Sequence, residues 1–112
     1  MEIQESPIEM FLPRLAERAR FGPEKMQKLD CVATGRLRLG LNCFEPGQDQ
    51  KIHAHAGSDK FYMVLSGRAK VVVGSEARDV GAGDLVFAPA GMVHGVETAY
   101  ERTVMLVGIT AL

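Results

Sequence analysis

Along residues 36–44 apolar and polar positions alternate without a break: Leu37, Leu39, Leu41 and Cys43 fall on one side, Arg36, Arg38, Gly40 and Asn42 on the other. Successive side chains of a β-strand point to opposite faces, so this period of two predicts a strand with unlike faces. Shorter runs of the same kind recur at about 51–55, 60–66, 68–74, 76–80, 85–88, 93–98 and 102–110. Turn residues separate them at Gly47, Gly57, Gly67, Gly74-Ser75, Gly81 to Gly83 and Pro89 to Gly91. Short strands at regular spacing predict an all-β sandwich or barrel, and the lack of helix-length amphipathic segments between them disfavours a parallel α/β sheet.

The strand pattern begins at about Lys25, leaving an N-terminal segment, 1–24, ahead of a β core at 36–110. Ser6-Pro7-Ile8-Glu9 has the form of a capping box with proline at the first helical position, and Pro13 cuts any such helix to little more than a turn. Residues 13–20 then read as a second short helical piece. A strand lying across the barrel is the alternative, and the pattern leaves both open.

Composition narrows the class. With 112 residues the chain is expected to form one domain, 1–112. Its 13 basic and 14 acidic residues nearly cancel and form no run of like charge, which argues against a nucleic-acid partner. No stretch reaches the ~20 apolar residues of a membrane span, and Met1-Glu2-Ile3-Gln4-Glu5 lacks the basic-then-apolar order of a signal peptide; a cytoplasmic location is the expectation. Cys31 and Cys43 have no metal-type spacing and read as reduced small hydrophobes, with a disulfide as the lesser alternative. The six methionines fall irregularly in apolar strands and read as core filling.

The chemistry is concentrated in three histidines. His53 and His55 share a strand face by the period of two, in the frame Gly47-x5-His53-x-His55, followed by Lys60 and Gly67. His94 closes a second frame, Gly83-x5-Pro89-x-Gly91-x2-His94, in which an apolar strand ends in a Pro/Gly turn. Neutral imidazole is a common metal ligand, so three converging histidines make a plausible open site.

These two frames resemble the paired motifs of the cupin superfamily, G-x5-H-x-H-x3,4-E-x6-G and G-x5-P-x-G-x2-H-x3-N. They match over residues 47–98, about half of the chain. The resemblance implies a double-stranded β-helix, or jelly-roll barrel. Residues 68–82 leave room between the motifs for a hairpin only. It also implies that His53, His55 and His94 bind a divalent transition metal: Fe, Ni, Zn, Mn or Cu.

Two positions depart from the pattern. Thr98 stands at the closing asparagine, and Lys60 stands where the family has its ligand glutamate. A protonated lysine has no lone pair for a metal. Three neutral imidazoles then leave the full charge on the ion, which favours a small anionic ligand such as a carboxylate or enolate. Register leaves an alternative here. Lys60 lies inward with Tyr62 and Val64, or a bulge near Gly57 turns Asp59 inward as a substitute ligand with Phe61, Met63 and Leu65.

Lys60, Tyr62 and Asp59 are the candidate acid or base groups. Three-histidine cupins include dioxygenases, so an oxygenase acting on a small anionic compound is the leading expectation. A metal-dependent isomerase or lyase and a non-catalytic binding or sensor protein are the rivals. Apolar residues on both faces of 60–66 call for outside cover, and a homodimer, usual for small cupins, is expected.

Overall fold

The computed structural model describes residues 8–110. Nine strands are formed among them: β1 Gln27–Ala33, β2 Leu37–Phe44, β3 Gln50–His53, β4 Lys60–Ser66, β5 Arg68–Val73, β6 Glu76–Gly81, β7 Leu85–Ala88, β8 His94–Ala99 and β9 Thr103–Thr110. They make two antiparallel sheets, one ordered β1-β2-β9-β4-β7 and the other β3-β8-β5-β6. This is the expected jelly roll. None of the helices among the described residues is long and apolar enough to cross a membrane.

The sheets pack face to face over a cluster of Phe44, Tyr62, Val64 and Met105 from the first and Val71, Val96 and Ala99 from the second. Each large apolar side chain removed from water here contributes on the order of 1.5–3 kcal/mol. The pattern at 36–44 predicts one strand, and β2 begins one residue later. β1 has no boundaries readable from the sequence. Its alternation breaks at Cys31, which has no partner across β2 because the register shifts between Asp30 and Val32.

The expected capping box at 6–9 lies partly outside the described residues. Of the two readings of the N-terminal segment, the structure has one turn of 3-10 helix at Leu15–Arg18. Leu15, Ala19 and Phe21 pack on Leu41, Cys43 and Val104, on the outer face of the first sheet, and Leu65 and Leu106 belong to the same cluster. The chain's own N-terminal segment therefore covers part of the surface for which the sequence suggested a second subunit. The Arg102 guanidinium holds this cover by lying 4.2 Å from the Phe21 ring centre while two of its three nitrogens, Nε and Nη2, donate to the Glu45 carboxylate.

Cover does not reach the edge strand β7. Leu85 and Phe87 lie beside Met63 and Phe61 in the ladder and remain 60% and 54% exposed.

Candidate metal centre and its pocket

His53 and His94 face each other directly across β3 and β8. Between this pair and the pair Gln50–Val96, β3 carries one residue more than β8. That bulge matters for the site. Residues 50 and 53 would point to opposite faces of a regular strand, whereas the extra residue leaves Lys51 and Ile52 exposed and brings Gln50 and His53 to the inner side. Gly95 makes it possible: a Cβ there would come within 2.8 Å of the Gln50 carbonyl oxygen and 2.9 Å of the Ile52 Cα. β3 ends at His53, so His55 is presented by the following loop and not by the strand expected at 51–55.

That loop is tied to the second motif. Gly91 adopts φ 82°, the left-handed backbone that suits the third position of the turn from Pro89 to Met92. Its N–H donates to the His55 carbonyl at 2.8 Å, and the Ala90 N–H donates to the Asp59 carboxylate at 2.9 Å. Asp59 is exposed and its carboxylate serves the turn that delivers His94. The bulge that would turn it inward is not formed. Lys60 occupies the inward position, 5% exposed, with Tyr62 and Val64 buried on the same side.

The three histidines meet as the spacing predicts, with one ligand atom from each lying within 4.8 Å of the others. Their tautomers follow from their partners. His53 Nδ1 lies 2.7 Å from the Lys51 carbonyl and His94 Nδ1 2.9 Å from the Met92 carbonyl; a carbonyl only accepts, so both Nδ1 atoms carry the proton. Each Nε2 is then a bare lone pair. His53 Nε2 lies 3.1 Å from His55 Nε2, while His94 Nε2 is buried with no protein partner. Burial, foremost, and the neighbouring positive groups lower the pKa of both His55 and His94, which keeps these imidazoles neutral. Backbone carbonyls orienting the far ring nitrogen are the usual support of metal-bound histidine. With metal–nitrogen bonds of ~2.0–2.1 Å, adjacent ligand nitrogens lie about 3 Å apart, as His53 and His55 do. The donor set therefore fits a divalent transition metal.

Of the three histidines, His55 borders a pocket of about 210 Å³ whose wall also includes Gln50, Asn42 and Lys60. Sequence reasoning missed Asn42 and Gln50. Asn42 carried a usable signal, a lone amide between Leu41 and Cys43 in a strand buried on both faces; Gln50 carried none, because the bulge alone brings it inward. Gln50 Oε1 accepts the Tyr62 hydroxyl proton at 2.7 Å, and burial raises the Tyr62 pKa beyond its usual value, so Tyr62 is a fixed donor and a poor acid. Burial, with a smaller contribution from Lys28, brings the Lys60 amine down to about 8. Lys60 has no carboxylate partner among the described residues. At the mouth, Asp30 and Arg38 face each other at 3.8 Å.

The cupin-domain family model matches residues 40–110, which include every strand except β1 and the first residues of β2. The chain belongs to the cupin family. The crystal structure of the TT1209 protein from Thermus thermophilus superposes on this cupin with a TM-score of 0.83 and 38% identity, covering 99% of this chain and 98% of that one. An RmlC-like cupin from Desulfovibrio desulfuricans shares the fold at a TM-score of 0.82 and 24% identity, over 91% and 97% of the two chains. An uncharacterized protein of Streptomyces coelicolor is 38% identical over 58 residues, which is 52% of this chain and 54% of that protein. The chain thus spans about half the length of this curated relative.

Proposed function

We propose that this cupin is a metal-dependent enzyme acting on a small anionic substrate, with His53, His55 and His94 as the metal ligands. The observation that carries the reading is the orientation of the imidazoles: two protons are committed to backbone carbonyls, and the buried Nε2 of His94 has nothing else to bind. A bound divalent transition metal would supply a Lewis-acidic centre with positions open to an oxygen ligand. Around it the chain supplies only neutral imidazoles and the Lys60 ammonium, since Lys60 replaces the family's carboxylate. This charge balance favours an anion over a neutral compound.

The all-histidine set favours the oxygenase form of the reading. The isomerase or lyase form draws support from Lys60, whose amine near 8 exchanges a proton readily around neutral pH. Elemental analysis of untagged protein is expected to find one divalent metal per chain, lost from His53→Ala, His55→Ala and His94→Ala. Stoichiometric metal in the triple variant overturns the assignment. Oxygen uptake by the iron-loaded protein with a turned-over carboxylate selects the oxygenase; hydrogen exchange from solvent into substrate without uptake selects the isomerase or lyase. Binding with neither makes this a binding protein.

The reading includes a homodimer in the cytoplasm. Exposed Leu85 and Phe87 on edge strand β7 support the first, and the free thiols of Cys31 and Cys43 the second. Light scattering at micromolar concentration is expected to give twice the 12.2 kDa chain mass, and a monomer rejects the dimer.

A further inference from the structure

Two amide groups beside the histidines have donors aimed at nothing. Asn42 Nδ2 and Gln50 Nε2 are buried without a hydrogen-bond partner among the described residues. Asn42 is 4% exposed and Gln50 6%, so within the protein their donors have only the pocket to face. The orientation of Gln50 has a cause: its Oε1 is taken by the Tyr62 hydroxyl, which turns the NH2 group the other way. Both amides line the pocket that also contains Lys60, equally buried and equally without an anionic partner. Buried donors are nearly always satisfied, so two orphaned amides beside a lysine with no carboxylate partner indicate a missing acceptor.

We infer that Lys60, Asn42 and Gln50 form a receptor for the carboxylate of a short-chain monocarboxylic acid, held so that the rest of the molecule reaches His55 and its partners. This rests on the reading of the pocket as the substrate site. A carboxylate offers two oxygens and about four lone-pair directions, enough for one ammonium and two amides. Lys60 is the one buried cation of the pocket lining, and its single charge matches one carboxylate at this end of the pocket. The other two cations of the lining are exposed, Arg38 beside the Asp30 carboxylate and Lys28, so neither adds a buried positive charge. The pocket, about 210 Å³, has room for roughly seven water-sized groups at ~30 Å³ each, enough to seat an acid of a few carbons.

Nuclear magnetic resonance of 15N-labelled protein reads the site directly through the side-chain NH2 signals of Asn42 and Gln50. Acetate, added to zinc-loaded and to chelator-treated protein, is expected to shift both pairs saturably in each; acetamide, the neutral isostere, is expected to leave them in place. Asn42→Asp puts a carboxylate beside Lys60 at nearly unchanged volume and is expected to weaken acetate binding at least tenfold with metal content unchanged. Lys60→Met, followed through both NH2 pairs, is expected to abolish the shifts and serves if the aspartate variant does not fold. Equal responses to acetate and acetamide, or acetate titration of either variant like the wild type, overturn the receptor. If the protein takes up zinc yet acetate moves only histidine signals, the receptor fails and the metal reading stands. If no metal binds but the NH2 shifts appear, the metal reading fails and the receptor stands.

Discussion

The space between the two sheets contains two regions built on opposite terms. Around Val64, Val96 and Met105 the interior is apolar and closed, every large side chain meeting another. Beside it lie His94, Lys60, Asn42 and Gln50, just as buried, but with three polar atoms left without hydrogen-bond partners and an ammonium that meets the face of the Tyr62 ring, 5.0 Å away, with no carboxylate beside it among the described residues. An unsatisfied buried donor or acceptor costs about 1–3 kcal/mol. The lowering of the Lys60 pKa from 10.5 to about 8 opposes folding at neutral pH by on the order of 1–3 kcal/mol, since solvent screens part of the charge. The second region thus opposes the folding that the first drives. Groups held ready against their own stability are what a binding site requires, because they need no rearrangement when the ligand arrives.

Substitutions separate the two regions. Phe44→Ala, in the apolar region, is expected to destabilise by about 3–5 kcal/mol in urea unfolding, since the cavity it leaves cannot collapse between two paired sheets.

Lys60→Met is expected to act in the other direction, stabilising the metal-free protein by up to about 3 kcal/mol at pH 7. The pH dependence has a definite sign. The folded-state pKa of Lys60 lies below the unfolded value, so the unfolded chain holds more protons between about pH 8 and 10.5 and wild-type stability rises through that window. The advantage of the methionine variant is therefore full at pH 7 and fades towards pH 10.5. Urea titrations at pH 7 and pH 10 measure it, and an equal difference at both would place the ammonium in water.

Lys60→Glu is expected to restore the family's carboxylate, tighten binding of a hard divalent ion by tenfold or more and weaken acetate binding. Calorimetric metal titration tests the first effect, and unchanged metal affinity would show that residue 60 does not reach the ion.

The smallest effect is expected for Asp59→Ala, about 1 kcal/mol in stability. Its carboxylate fixes the Ala90 N–H of the turn that carries His94, so metal affinity should weaken a few-fold while stoichiometry is kept. Complete loss of metal in this variant would make Asp59 a ligand after all.

The strand inventory and the meeting of the three histidines were legible in the chain, because both depend on spacing. A period of two marks strands, and the glycines and proline mark their turns. What alternation does not reveal is which side of a strand faces in when both sides are buried. β2 shows this: Leu41 and Cys43 pack outward under the N-terminal segment, while Asn42 and Phe44 point between the sheets. The place of Gln50 depended on a bulge that only the pairing of β3 with β8 produces. The role of Asp59 depended on a turn 31 residues away. The histidine tautomers depended on the Lys51 and Met92 carbonyls, whose direction is a matter of backbone geometry. Ligand identity is written locally in residue type and interval, whereas the partner of each polar atom is decided by which distant strands close upon it.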